Sequence, residues 1–452
     1  MYALRRPKMK VLIVSTDSLS FSPSGPAYVA GAAREAGHAV EVFDCLLAEN
    51  PVEDLCRHVD EFDPAAIGVS IRTVAGKIVD ENSEYYTKPF DSRAFIKRLI
   101  DRVKSITSAK IILGGSGFNY YSAAWLEYLD LDYGIRGEAE ISFPLCLSKI
   151  ESSLDIDTVP GCVCRSSRRI IKVDREFNQD LDSTAFPAYD LFDLEEYSRR
   201  GITAAVFTKR GCAFRCTFCP YSSLEGTRYR LKSAGRVVDE IQHILHHKDS
   251  MKISFCDNSF NVPKRHAESI CREIVKRGLS VKWQTGALKP FGITNELCEL
   301  FKDSGCVYLN VSVEAASDKM LESMHRGYTA QKVKEALDCL AKSDIPTGIS
   351  IMFGAPGETP ETINETLHVV DEYAPHMEVF VTIGLNLWTH HQQVLQDASR
   401  DGQLNQDTEL FDEAHYISPD LPEGFMIDLI ETLHTRKRYG VQVNKRFAAS
   451  GS

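Results

Sequence analysis

The sequence predicts an α/β protein in two main parts: a doubly wound parallel sheet, then a partial (β/α)6 barrel of the TIM type, with a small α-rich C-terminal region. Three observations predict it. Short runs of apolar, often β-branched residues alternate with helical patterns along most of the chain. These runs are continuously apolar rather than alternating, as expected of parallel strands covered on both faces. The rhythm breaks between residues 151 and 200 and then resumes. The boundaries read from this are 1–150 for the first domain, 151–200 for a linker with a small hairpin, 201–388 for the barrel and 389–452 for a helical cover.

In the first domain, Val11–Ser15 reads as a strand, Ala27–Ala36 as a helix ended by Gly37, and Ala39–Phe43 as the next strand. Ala66–Ile71 and Lys110–Leu113 repeat the apolar signature. Ser92–Val103 between them is helical, since Phe95, Ile96, Leu99, Ile100 and Val103 recur at helix spacing. Two loops rich in small residues follow strand regions: Ser22-Pro23-Ser24-Gly25-Pro26 and Gly114-Gly115-Ser116-Gly117. The carboxyl edge of such a sheet is the usual ligand crevice, where glycine lets a ligand approach the backbone; tight turns would use the same residues. The G-x-G-x-x-G dinucleotide fingerprint is absent, so a nicotinamide or flavin gains no support. The polar-aromatic loop Arg72–Phe90, with Asn82, Tyr85 and Tyr86, is long enough to cover a ligand. In the linker, Gly161–Cys164 and Ile170–Val173 resemble a small hairpin.

Composition bounds the function. The chain has 452 residues, 43% hydrophobic and 25% charged, which excludes collagen-like, mucin-like and wholly disordered classes. A net charge of −11 argues against a protein that mainly clamps nucleic acid. No stretch of 18 or more apolar residues offers a membrane span. The short basic start lacks the pattern of a secretory signal, so the expected location is cytoplasmic. Thirteen cysteines, an odd number, point to metal binding or burial rather than a disulfide scaffold. Ten are scattered; Cys212, Cys216 and Cys219 stand together.

The barrel strands are read at Thr203–Thr208, Lys252–Cys256, Val281–Thr285, Val307–Val313, Gly348–Phe353 and Val379–Leu385. Helices are read between them at Gly235–His246, Lys264–Arg277, Asn295–Ser304, Thr329–Lys342 and Thr359–Glu372. In such barrels chemistry collects at the strand C-termini. Directly after the first strand comes Gly211-Cys212-Ala213-Phe214-Arg215-Cys216-Thr217-Phe218-Cys219-Pro220. Three thiolates at this spacing can converge on one soft-metal site. The spacing is too crowded for the two separated pairs of a structural zinc site. A cubane iron–sulfur cluster on three thiolates would leave one iron open. Three buried structural cysteines, or zinc with a distant fourth ligand, remain the alternatives.

At this point the chain resembles the radical S-adenosylmethionine (radical SAM) family, in which a Cys-x3-Cys-x2-Cys loop holds a [4Fe–4S] cluster. The resemblance implies Cys212, Cys216 and Cys219 as cluster ligands and an open iron that binds SAM and yields a 5′-deoxyadenosyl radical. It also implies an electron donor such as flavodoxin or ferredoxin. Leu309–Glu314, Asp318–Leu321 and Met324–Gly327 look like the family's fourth-strand segment, which puts Glu314 forward for SAM binding; capping a strand-end loop is the other reading. Gly348–Thr359 looks like the fifth-strand segment near adenine, with Gly354, Pro356 and Gly357 as cofactor contacts.

The order of parts is similar to the cobalamin-dependent class of this family. The segments that carry this are Gly25–Ala30, Gly37–Val42 with Asp44, Ile67–Ser70, Leu113–Ser116 and Gly134–Glu140. The resemblance implies Gly25, Pro26, Ser70, Gly114, Gly115, Ser116 and Glu138 as cobalamin-binding residues. No Asp-x-His-x-x-Gly signature is present, so a lower histidine ligand to cobalt is not expected. The implied reaction is methylation of an unactivated carbon, less readily of phosphorus, in a small molecule, with SAM both remethylating cobalt and supplying the radical. An oxidoreductase, cyclase or ring-rearranging enzyme with the same cofactors is the alternative, and a non-catalytic corrinoid or iron–sulfur carrier a further one. Relatives often carry Arg, an aromatic and Pro-Gly-Thr after the sixth strand; here stand Asn386, Trp388 and Thr389-His390-His391-Gln392. Trp388, His390 and His391, with Tyr85, Tyr86 and Arg228, are candidates to line the substrate cavity, and Arg230 to meet a carboxylate. Ordinary packing or surface placement would also accommodate them.

Overall fold

The computed structural model describes residues 8–16, 22–72, 92–166, 169–387, 392–404, 411 and 414–443. Asn82, Tyr85, Tyr86, Trp388, His390 and His391 lie outside the described residues. Two compact units emerge, Met1–Ala205 with Gln242–Met251, and Val206–Ile241 with Lys252–Ser452.

The first unit begins with β1 (Lys10–Ser15), α1 (Ser24–Glu35), β2 (Ala39–Asp44), α2 (Pro51–Phe62) and β3 (Ala66–Ser70). It continues with α3 (Ser92–Lys104), β4 (Lys110–Gly114), α4 (Ser116–Tyr120), α5 (Ser122–Leu129), β5 (Tyr133–Ile135) and α6 (Ala139–Glu151). The hairpin β6 (Cys162–Ser166) and β7 (Arg169–Lys172) and the helix α7 (Leu194–Arg199) complete it. The sheet order is β2-β1-β3-β4-β5-β6-β7. The first five strands run parallel, and β6 and β7 join antiparallel. The hairpin read within the 151–200 linker therefore extends this sheet. Val11, Ile13, Ala66 and Ile112 from the strands pack with Ala30, Ala33, Phe143 and Leu147 from the helices in one apolar core. The five apolar residues that predict α3 are all buried, which is why that periodicity was readable.

Next in the chain come β8 (Ala204–Val206), which spans the unit boundary, then β9 (Lys209–Arg210), α8 (Tyr221–Glu225), β10 (Arg230–Leu231), α9 (Ala234–His247), whose residues 242–247 belong to the first unit, β11 (Ile253–Phe255) and α10 (Lys264–Lys276) of the second. Then come β12 (Trp283–Leu288), α11 (Asn295–Asp303), β13 (Cys306–Glu314), α12 (Asp318–Ser323), α13 (Ala330–Ala341), β14 (Thr347–Phe353) and α14 (Pro360–Tyr373). The chain closes with β15 (Glu378–Ile383), β16 (Leu385–Leu387), α15 (Gln392–Arg400), β17 (Ala414–Tyr416), α16 (Glu423–Thr435) and β18 (Tyr439–Val443). Seven strands form the barrel sheet in the order β18-β15-β14-β13-β12-β11-β8. Six are those read from the sequence. The seventh, β18, pairs parallel with β15 from within the C-terminal region.

Buried aromatics fix one wall of the barrel. Phe255 stacks on Phe260 with ring centroids 4.6 Å apart, and Trp283 meets Phe301 edge-on at 5.4 Å. The indole N–H of Trp283 donates to the Ser304 carbonyl at 2.9 Å, so its polar edge is satisfied. Each fully buried aromatic side chain of this kind contributes about 1.5–3 kcal/mol by leaving water.

At the carboxyl edge of the first sheet, Ser15 stands opposite Ser70, and Ser70 opposite Gly114. Gly115 adopts φ +95°, and a Cβ there would come within 2.3 Å of the Ile71 carbonyl oxygen. The backbone that Gly115 admits is therefore that of Ile71. Gly115→Ala is expected to destabilise the full chain by about 1–3 kcal/mol from strain alone, measured by denaturant unfolding; unchanged stability would contradict this packing.

Candidate functional site

The cysteine loop is rooted in a buried polar network. The Asp257 carboxylate, just beyond β11, accepts from the Thr208 amide at 2.8 Å and the Thr208 hydroxyl at 2.5 Å. It also accepts from Lys209 Nζ at 3.2 Å, and both side chains of that ion pair are essentially out of solvent. Lys209 donates further to the Phe260 carbonyl at 3.3 Å, and His266 Nε2 lies 3.0 Å from Thr208 Oγ1. Removing one partner of a buried pair costs about 3–5 kcal/mol, although the pair itself adds little net stability. Such a network holds position.

Beyond this root the chain turns through Gly211 at φ +84°, where a Cβ would sit 2.1 Å from the Arg228 carbonyl oxygen. Only glycine lets the β9–β10 hairpin close this tightly. The Cys212 amide donates to the Gly226 carbonyl at 3.0 Å, and the Gly211 amide to Glu225 Oε2 at 3.2 Å. Farther along, the Thr217 amide donates to the Met324 carbonyl, after β13, at 3.2 Å. The loop is thus held from both sides.

The three thiols sit within electrostatic reach of one another. Burial pushes the Cys219 thiol up to about 12, Cys216 and Cys212 adding to the rise and Lys289 opposing it. Burial likewise raises Cys212. Three such soft donors, held on one pinned loop, suit an iron–sulfur group.

Two buried cations flank it. Arg326, 2% exposed, donates from Nη1 to Cys216 Sγ at 3.3 Å, from Nη2 to the Ser312 carbonyl at 2.6 Å and from Nε to the Tyr328 hydroxyl at 2.8 Å. Its guanidinium also lies over the Phe218 ring, 5.7 Å from the centroid. Lys289 follows β12 and lies over the Phe214 ring at 5.8 Å. Burial pulls its ammonium below the ordinary lysine value and Arg326 adds to this, while Glu314, Cys216 and Cys219 work the other way. Positive charge is placed where three thiolates and a bound cluster would concentrate negative charge. Soft donors and compensating cations both fit a [4Fe–4S] group.

Glu314 ends β13 at φ +63°, with a register shift between Ser312 and Glu314. A non-glycine residue held there is strained, a recurrent feature of functional sites. Its carboxylate lies 3.7 Å from Arg326 Nη2, so the reading of Glu314 as only a loop cap omits its ionic partner. In the fifth-strand loop, Gly354 adopts φ +104° with the Gly384 backbone 3.3 Å from where a Cβ would stand, whereas Gly357 at φ +78° faces open space. Glu358 is fully buried and reaches back to accept from the Gly354 amide and, at 3.1 Å, from the Ala355 amide. The other Glu358 oxygen, Oε1, has no partner. Helix α14 is instead capped by Thr359 and Thr362. A cavity of about 380 Å³ is lined by Thr217, Ser323, His325, Pro356, Gly357 and Arg400 among others. It joins the cysteine loop to the 354–357 loop.

In the first unit, Gly25 and Pro26 open α1, and a Cβ at Gly25 would meet nothing within 4 Å. Thr16 bridges β1 to β3 through its hydroxyl, 2.9 Å from the Ser70 carbonyl. The order 2-1-3-4-5 puts the topological switch point between β1 and β3, where ligands of such sheets lie. Ser15, Ser70 and Gly114 line that edge with small side chains, which suits a large planar group. Ser116 donates to the Arg72 carbonyl at 2.8 Å, and Glu138 accepts from the Asn178 amide at 3.0 Å; both are tied to their own unit.

The structure therefore brings Cys212, Cys216, Cys219 and Glu314 to one place, with Pro356 and Gly357 across the cavity. Arg228 is exposed and is not among the residues lining that cavity. Arg230 is buried in the hairpin and donates to the Glu225 carbonyl at 2.9 Å. Lys289, Arg326, Tyr328 and Glu358 carried no role in the sequence reading. For Lys289 the available signal was its place just past a barrel strand.

The class follows from two family matches: the Radical SAM superfamily over residues 206–370 and the B12 binding domain over residues 10–147. The chain carries a cobalamin-binding domain followed by a radical SAM domain, the arrangement of cobalamin-dependent radical SAM enzymes. It is 26% identical over 376 residues to an uncharacterized methyltransferase of Pyrococcus horikoshii, covering 81% of this chain and 78% of that one. It is 24% identical over 371 residues to an anaerobic magnesium-protoporphyrin IX monomethyl ester cyclase of Cereibacter sphaeroides, covering 79% of this chain but 58% of the cyclase. The fold is similar to that of the radical SAM methyltransferase TsrM of Kitasatospora setae, solved with tryptophan substrate and a SAM analog. The TM-score is 0.81 at 21% identity, over 96% of this chain and 91% of that one. Among the described residues no helix is long and apolar enough to cross a membrane.

Burial raises the Glu358 carboxyl from an ordinary 4.5 to about 8, against the pull of the Gly354 and Ala355 amides. The folded state thus binds this proton more tightly than the unfolded state. The stabilisation is complete below about 4.5 and is lost as pH rises through about 8. Relative to Glu358→Gln, wild-type stability should fall across that window and level off above it, read from unfolding curves at several pH values. Parallel curves would refute the assignment.

Proposed function

We propose that the protein is a methyltransferase that uses cobalamin and radical SAM chemistry to methylate an unactivated carbon of a small molecule. The observation that carries this reading is the pinned loop of Cys212, Cys216 and Cys219 beside the buried cations Arg326 and Lys289, in a chain whose first unit has a 2-1-3-4-5 parallel sheet with a topological switch point. Cys212, Cys216 and Cys219 would hold the [4Fe–4S] cluster, and Ser70, Gly114 and Gly25 would border the cobalamin. When bound, these groups with SAM supply one-electron cleavage of the sulfonium and a transferable methyl group.

The chain's own residues hold and shield. Arg326 keeps Cys216 oriented and its charge compensated. Glu314, fixed by Arg326, offers a carboxylate to a cationic amine or to ribose hydroxyls. Gly357 exposes backbone to a nucleoside, and Glu358 holds that loop through two amides. Arg400, in the cavity lining, is already paired with Asp397 at 2.9 Å and Asp401 at 3.0 Å. Similarity to the Pyrococcus and Kitasatospora methyltransferases supports methyl transfer. Similarity to the Cereibacter cyclase favours a second reading, a cyclase or oxidoreductase with the same cofactors.

The two readings differ in products. Incubated anaerobically with reductant, cobalamin, trideuteromethyl SAM and a metabolite extract of the native host, the protein should form S-adenosylhomocysteine, 5′-deoxyadenosine and a trideuterated product. Turnover giving 5′-deoxyadenosine without S-adenosylhomocysteine or label would overturn methylation in favour of the second reading. Replacing Cys212, Cys216 or Cys219 by Ala should abolish cluster iron and 5′-deoxyadenosine while sparing cobalamin binding. Iron content and cofactor absorbance report both, and retained activity would refute the ligand assignment.

A further inference from the structure

We propose that Asp190, His243 and His247 form a binding site for one divalent transition-metal ion of the zinc class, joining the turn Tyr189–Leu191 to the last turn of α9. A ring nitrogen from each histidine and a carboxylate oxygen of Asp190 all lie within 4.8 Å of one another. His243 and His247 are four residues apart on α9 and share one helix face, their ring centroids 5.0 Å apart. The same i, i+4 spacing lets two histidines on a helix grip zinc in metalloproteases.

An independent observation points to a ligand. His243 Nε2 is out of solvent and has no hydrogen-bond partner. A buried polar atom left unpaired is costly, and a cation shared with Asp190 and His247 would satisfy it. The ring is held where it is by Phe186, with centroids 5.5 Å apart. Arg34 donates to both Asp190 oxygens, at 2.5 and 2.9 Å. A carboxylate oxygen has two lone pairs, so each keeps one for a metal. Arg34 then acts as the outer hydrogen-bond donor that orients ligating carboxylates. Two imidazoles and one carboxylate suit zinc, nickel or cobalt rather than calcium or magnesium, which favour all-oxygen shells. Water would complete the coordination.

The test uses cluster-loaded protein, so that the loop cysteines are occupied, cleared of loose metal by a chelator. Calorimetric titration with Zn2+ should show one equivalent bound per chain. His247→Ala, at an exposed position, should weaken that binding by more than about ten-fold, as should His243→Ala. Co2+ in place of Zn2+ should give ligand-field bands without sulfur-to-metal charge transfer. Absence of Zn2+ uptake, equal affinity in correctly folded His247→Ala, or a thiolate charge-transfer band would each overturn the site.

Discussion

The buried pairing of Lys209 with Asp257 turns a cysteine spacing into a site. Three cysteines within eight residues can adopt many arrangements; they converge here because the chain entering them is pinned. Asp257 takes hydrogen bonds from Thr208 and Lys209, and so ties the end of β8 to the loop after β11. On the far side Arg326 ties Cys216 to the Ser312 carbonyl of β13. Buried ion pairs and buried arginines are poor sources of net stability. Their value here is positional: each leaves a charge without solvent if the loop moves, so movement is expensive.

The same cations prepare the site for negative charge. Lys289 and Arg326 are both buried, and each lies over an aromatic ring of the cysteine loop, Phe214 and Phe218. Without anionic partners this concentration of positive charge would be unfavourable. Burial first and Arg326 second depress the Lys289 ammonium, and deprotonated thiolates would oppose both. Glu314 enters on the same terms, a strained carboxylate held beside Arg326. The protein supplies a charge-balanced recess with little freedom to rearrange.

Much of this architecture was legible in the sequence, for identifiable reasons. The six barrel strands follow from short continuous apolar runs covered on both faces, and α3 from a helical periodicity that buries one face. The cysteine loop was legible because its three residues are adjacent in the chain. Arg326, Lys289 and Asp257 were not, since each reaches the loop from a different later segment, 48 to 110 residues away. Glu358 stands just before the Thr359 cap of α14, and only the fold shows it turned inward to the Gly354 and Ala355 amides. Strand β18 was missed because it pairs with β15 from far along the chain. Gly115 looked like a place for a ligand to approach, and the close approach there is made by Ile71.

The central claim is that Cys212, Cys216 and Cys219 bind a four-iron cluster with one iron left open. Electron paramagnetic resonance of the anaerobically purified, reduced protein tests it most directly, recorded before and after addition of SAM. The account predicts a [4Fe–4S]+ signal whose g-values shift when SAM is added. A signal indifferent to SAM, or zinc in place of iron on these cysteines, would contradict it.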